Sequence, residues 1–290
     1  MTKDFQKKVI LFLGIFVFLF LSSCSWLKKE QVQRQTGQKA KQAQLELEGG
    51  DFQRAIDVYK EIHQQYPQDP TVQISYIKTL ESIKSSGDQA FERKNFELAG
   101  NIYEILAKNW LHFGDLSHSL SFKKNFLGIK IITCRSFIVE KQAWLYLEAG
   151  DFQRAIDVYK EIYQQYPQDP KVRSSYTKIV ESIKSSGDRA FERSDFALAG
   201  CIYQILLKNF SSFNHLRSSF SFNREYLTKK IKSLEKVLFE KGLEQYRSGN
   251  LNQAISIWKS ILAFDPENQE IKKAVDMAIL QSKNLKETKY

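Results

Sequence analysis

DFQRAIDVYKEIHQQYPQDP, residues 51–70, returns one hundred residues later as DFQRAIDVYKEIYQQYPQDP, residues 151–170, with His63 exchanged for Tyr163. Phe52, Ala55, Ile56, Tyr59, Ile62 and Tyr66 recur at steps of three and four, which puts one apolar stripe on a helix. Gly50 can end a preceding helix in the left-handed conformation. Asp51 is a good N-cap. Pro67 stops the helix soon after Tyr66, and Asp69-Pro70 offers a cap followed by proline in the first turn of the next one. The block therefore ends one helix, turns, runs about four turns of a second, turns again and starts a third.

Related stretches extend the pattern. NFELAGNIYEIL (95–106) repeats as DFALAGCIYQIL (195–206), and NLNQAISIWKSIL (250–262) is a fifth version. In each, an alanine sits four residues before an aromatic: Ala55/Tyr59, Ala99/Tyr103, Ala155/Tyr159, Ala199/Tyr203 and Ala254/Trp258. The small residue lets two helices approach, and the aromatic fills the space to the next layer. Such a pair cannot bury its apolar face alone, so pairs must stack. With only five prolines and thirteen glycines in 290 residues, long helices are favoured.

This grammar resembles the tetratricopeptide repeat (TPR). Gly242, Gly249, Ala254, Trp258 and Pro266 stand where that family places Gly, Gly, Ala, aromatic and Pro, and Tyr246 falls one residue past its tyrosine. This last pair fits best. The pairs at 43–67 and 143–167 also match, with Ala43 and Ala143 in the first glycine position; those at 87–106 and 187–206 lack the closing proline. The resemblance implies an all-α fold, an α-solenoid of TPR-like antiparallel helix pairs with alternating short and long helices.

The alternation follows from spacing. Repeats of the family lie about 34 residues apart, whereas the marker alanines stand at 55, 99, 155, 199 and 254. The excess must lengthen the first helices. Residues 70–93 and 170–193 are each expected as one long helix that SSGD (85–88, 185–188) could kink as a junction, and 119–148 and 219–248 as helices longer still. The expected organisation is a leader at 1–23, a tether at 24–36, four-helix modules at 37–136 and 137–236, a closing pair with a capping helix at 237–283, and a tail at 284–290.

The amino terminus has its own pattern. Lys3, Lys7 and Lys8 precede the uncharged run Val9 to Leu21, too short to span a bilayer comfortably. This is the plan of a secretory signal peptide. Leu21-Ser22-Ser23-Cys24 resembles the lipobox of bacterial lipoproteins, which implies a diacylglycerol on the Cys24 thiol and cleavage just before it. Acyl chains contribute about 0.8 kcal/mol per buried methylene. By the same resemblance the anchor on Cys24 is of the palmitate type, and Ser25, where aspartate would retain the protein in the inner membrane, implies the outer membrane facing the periplasm.

No catalytic set is visible: there is no G-x-x-x-x-G-K-[ST], G-x-S-x-G or H-E-x-x-H. His63, His112, His118 and His215 are scattered, so neither a metal nor a cofactor is expected. Cys134 and Cys201 do not occupy equivalent positions and are read as buried free thiols, although an exported compartment would permit a disulfide. The net charge of +10 comes from Lys and Arg scattered among acids and Gln, without the basic stripe that nucleic acid needs.

Function then falls to surface. The tetratricopeptide resemblance implies a partner-binding groove lined by first helices. Carried over position by position, it comprises Ala40, Gln44 and Leu47, then Glu140, Trp144 and Leu147, then Phe239, Leu243 and Tyr246. Trp144 stands where the other copy has Gln44, so shared packing does not demand it. The reading is a non-enzymatic, lipid-anchored adaptor for protein or peptide partners in the bacterial envelope. A-I-D-V-Y-K-E-I-x-Q-Q-Y-P resembles repeats of outer-membrane assembly lipoproteins and of periplasmic proteins that coordinate cell-wall synthesis. The alternatives are a self-associating structural component and an accessory that binds glycan or peptidoglycan.

Overall fold

The computed structural model describes residue 34, residues 36–213 and residues 215–287. The expected leader, Cys24 and the tether up to Gln33 lie outside the described residues. Those described form helices α1 (36–48), α2 (Phe52–Gln65), α3 (Pro70–Glu92), α4 (Phe96–Asn109), α5 (Lys124–Glu148), α6 (Phe152–Gln165), α7 (Pro170–Glu192), α8 (Phe196–Asn209), α9 (Arg224–Arg247), α10 (Leu251–Phe264) and α11 (Gln269–Glu287). No strand occurs among them. Consecutive helices pack in TPR-like pairs, the manner of an α-solenoid. Between α1 and α11, α2, α4, α6, α8 and α10 have 14 residues each, and α3, α5, α7 and α9 have 23 to 25.

Local chemistry sets the boundaries. The Asp51 and Asp151 carboxylates accept from the backbone N–H of Arg54 and Arg154, and Asp69 and Asp169 cap α3 and α7 the same way. Such caps contribute about 1 kcal/mol each. Gly50, Gly150 and Gly249 end the preceding helices at φ of 81°, 75° and 78°, the left-handed region glycine enters without strain.

The chain divides into two compact units, up to Arg135 and from Ser136 onward, with α5 running through the division. The closing pair α9–α10 and helix α11 therefore fall in the second unit. Helix α11 continues into the stretch read as a tail.

In the first unit Ala43, Ala55 and Ala99 are fully buried where helices cross. Tyr59 stacks on Tyr76 at 5.5 Å, and Phe113 meets Tyr76 edge-on at 6.2 Å. Gln53 of the repeated block accepts a 2.9 Å hydrogen bond from Asn109 Nδ2, tying α2 to the end of α4. The second unit repeats this with Gln153 and Asn209, and with Tyr159 on Tyr176 at 5.5 Å.

Two expectations need correction. SSGD is no junction: α3 and α7 run through it unbroken. Gly87 lies under the Tyr103 ring, where a Cβ would come within 3.0 Å of it, and the Tyr103 hydroxyl donates to Asp88 at 2.6 Å. Local turn propensity has lost to packing. Helices α5 and α9, of 25 and 24 residues, are longer than the 23-residue α3 and α7 as expected, but they begin at 124 and 224 rather than at 119 and 219. A 3-10 segment, Trp110–Ser119, precedes α5, and the turns Phe210–Phe213 and Arg217–Ser219 precede α9. Glu81 holds the end of the first segment by accepting from the Ser121 hydroxyl at 2.6 Å, and Glu181 does the same for Ser221 at 2.7 Å.

Asp188 accepts from Lys184 at 2.7 Å, Tyr203 at 2.6 Å and Tyr226 at 2.9 Å; Asp88 accepts from Lys84 and Tyr103 only, with Phe126 in the third place. Burial pushes both carboxyls up, but these bonds and the lysine charges outweigh it and hold them below the usual aspartate range. Their stabilisation is full above the unfolded value of about 4 and drains as pH falls through the lowered folded value. The thermal midpoint should therefore fall on acidification below about pH 4, and less steeply when both are alanine. At neutral pH Asp188→Ala should destabilise more than Asp88→Ala, on the scale of about 1.5–3 kcal/mol for a bond to a charged group.

Two glycines at equivalent positions test the packing differently. A Cβ on Gly100 would meet Cys134 at an ordinary 3.4 Å, whereas one on Gly200 would strike the Phe264 ring at 2.4 Å. In urea denaturation Gly100→Ala should stabilise by roughly 0.5–1 kcal/mol, as alanine does within a helix, and Gly200→Ala should destabilise by about 1–3 kcal/mol through overpacking.

Candidate functional site

The nine positions carried over as a groove do not share one environment. Phe239 and Tyr246 face Trp258, with ring centroids 6.3 and 5.8 Å away. Gly242 explains why: the indole crosses α9 so closely that a Cβ would lie 2.2 Å from its nitrogen, which donates to the Phe239 carbonyl at 3.3 Å. These two aromatics are spent on packing α9 against α10, with Leu243 half-buried between them in sequence. Glu140 is also engaged, accepting from the Ser175 hydroxyl at 3.3 Å. Burial, and then the Glu140 charge, raise the pKa of the nearby Tyr159.

The remaining positions are more open. Gln44 is exposed and bonded to Glu48 at 2.9 Å, and Leu47 and Leu147 are half-buried. Trp144 on α5 is 41% exposed, beside the exposed Leu145, whereas Trp110 is half-buried and Trp258 is buried. Trp144 is thus the described tryptophan with a face available to a partner.

Ala40 lines a cleft of about 160 Å³ in the first unit, with Gly37, Tyr59, Ile62, Val72 and Ser75 around it. Thr36, Asp69 and Thr71 complete its lining. Gly37 and Thr71 were not singled out from the sequence. The signal lay in the comparison of copies: the residues matching Gly37, Ala40 and Thr71 are Phe137, Glu140 and Lys171. In the second unit the Lys171 ammonium lies 3.1 Å from the Phe137 ring centroid.

For chemistry the described residues offer little. No three His, Cys, Asp or Glu side chains among them gather in a set that could hold a metal. Cys134 is buried, and Cys201 is half-buried rather than fully so; neither is in a disulfide. Burial, with Asp195 adding to it, pushes the Cys201 thiol up, the reverse of what a nucleophile needs. No helix among the described residues is long and apolar enough to cross a membrane.

A tetratricopeptide-repeat model matches residues 41–69 and 140–169. These are α1–α2 and the end of α5 with α6, so the pair at 237–266 that resembles the family most in its glycines lies outside the match. No curated protein matches the chain. Among solved structures it is similar to a circular tandem repeat protein with novel repeat topology and enhanced subunit contact surfaces, at 14% identity and a TM-score of 0.22. That alignment covers 87% of this chain and 64% of the other. The repeats suggest a protein-interaction scaffold.

Because Trp144 faces solvent, Trp144→Ala should leave the urea midpoint nearly unchanged, within about 0.5 kcal/mol. Gly242→Ala, which displaces Trp258, should cost about 1–3 kcal/mol in the same measurement.

Proposed function

We propose that the protein is a lipid-anchored, non-enzymatic adaptor that holds a protein or peptide partner in the bacterial cell envelope, on the outer membrane facing the periplasm. The observation that carries the binding half is Trp144, exposed on α5 inside one of the two matched repeats. Exposed aromatic anchors tend to dominate interface energy. The anchoring half rests on the basic start, the apolar run and Leu21-Ser22-Ser23-Cys24. The resemblance of its repeat phrase favours partners of the outer-membrane assembly or cell-wall coordination type.

A second reading, a self-associating envelope component, is favoured by α11. Met277, Leu280 and Leu285 are all more than half exposed and fall at helical spacing on that helix. A stripe of this kind is a surface on which a second copy could pack.

Cross-linking in intact cells, followed by affinity capture, separates the two. The adaptor should yield a discrete envelope protein, lost with Cys24→Ala, and weakened by Trp144→Ala by about 2 kcal/mol, roughly thirtyfold in Kd. Capture of only further copies of the chain, abolished by Met277→Lys, would replace the adaptor with the structural reading.

A further inference from the structure

The two modules have the same frame but differ at one place. The cleft wall of the first unit is repeated residue for residue in the second: Tyr59, Ile62, Asp69, Val72 and Ser75 correspond to Tyr159, Ile162, Asp169, Val172 and Ser175. The floor is not. Gly37, Ala40 and Thr71 are small, whereas Phe137, Glu140 and Lys171 are large and engage their surroundings. The Phe137 ring lies under Lys171 at the start of α7, the place matching the start of α3 that borders the cleft. Glu140 reaches Ser175.

Burial registers the difference. Tyr159 and Val172 are 0% exposed, while Tyr59 and Val72 each keep 6%. Ser175 is buried and Ser75 is only half-buried. The same residues thus border a cleft of about 160 Å³ in the first unit, while in the second the matching positions 37 and 71 are filled by a half-buried phenyl ring and the cation over it. An apolar cavity of about 150 Å³ is large enough to take a benzene ring.

We propose that the cleft of the first unit receives one aromatic side chain from a protein or peptide partner, in the place that Phe137 supplies from within the second unit. The inference rests on the partner-binding reading above and adds the chemistry of the residue that the partner presents. Tyr59, Ile62 and Val72 provide the apolar wall. Ser75 and Thr71 are left for the partner's backbone or for a cationic neighbour playing the part of Lys171. Gly37 lines the cleft, and a Cβ added there meets nothing within 4 Å, so a ring can be introduced at its edge without a clash.

The test uses the full chain in detergent with 13C-methyl-labelled Ile and Val, titrated with N-acetylphenylalaninamide and, as control, N-acetylalaninamide. The Ile62 and Val72 methyl signals should shift saturably with the phenyl probe alone, and those of Ile162 and Val172 should not. Gly37→Phe should weaken the response at least tenfold, and Phe137→Gly should create one at Ile162 and Val172. Equal responses in the two units, no saturation, or indifference to Gly37→Phe would overturn the proposal. So would a response that appears only with Trp26→Ala, since the cleft would then belong to this chain's own aromatic residue. Because the probe is a single amino-acid derivative, the result is separate from cell capture. A captured partner with a silent cleft keeps the adaptor and discards this inference; a responsive cleft with no captured partner does the reverse.

Discussion

Tyr103 lies across Gly87 and places its hydroxyl on Asp88, which also holds the Lys84 ammonium. Tyr203, Gly187, Asp188 and Lys184 make the same arrangement. Everything between the long and short helices of each module depends on it. The ring can descend that far only because the residue beneath it has no side chain, and its buried polar end is satisfied only because the next residue is an acid. The marker alanine one turn earlier, Ala99 or Ala199, is fully buried in the same seam. Once α4 is pinned to α3 this way, its far end is fixed as well. There Asn109 reaches Gln53, 56 residues earlier, and closes the module on itself.

That closure explains what the sequence did and did not reveal. Helix starts were legible because their causes are local: Asp51 and Asp69 cap their own helices, Pro70 sits in a first turn, and Gly50 adopts positive φ. SSGD misled because Ser, Gly and Asp read locally as a turn, and the reason they lie within a helix is a tyrosine fifteen residues away. The start of the stretch 119–148, expected to be helical, misled for a related reason. Its spacing is compatible with a helix, but the chain takes 3-10 turns stapled by Glu81, forty residues distant. The same limit applied to the carried-over groove. Phe239 and Tyr246 hold the expected sequence positions, yet Trp258 claims them, because Gly242 lets the indole lie flat on α9.

The cleft was hidden differently. No single residue announces it, since Gly37, Ala40 and Thr71 are unremarkable alone and all three lie outside the repeated block. It becomes visible when the copies are compared in three dimensions and the missing ring is noticed. Trp144 was legible by comparison alone, because Gln44 in the same place shows that packing does not require an indole.

Taken together, these differences bear on why one block stands in the chain twice. Residues 51–70 and 151–170 supply caps, crossing alanines and the glutamine that locks α4 or α8, all of them framework. The exchanges that alter what the outside meets lie chiefly on the preceding helix: Gly37 to Phe137, Ala40 to Glu140, Gln44 to Trp144. None of the three changes touches the tyrosine–glycine seam, so the frame tolerates them all. The first unit keeps a cleft and no tryptophan at this position; the second has Phe137 under Lys171 at the matching positions and presents the tryptophan. An aromatic group is thus received in one unit and offered in the other. Two copies of one surface would give a partner the same contact twice, whereas a shared frame with complementary surfaces gives it two different ones.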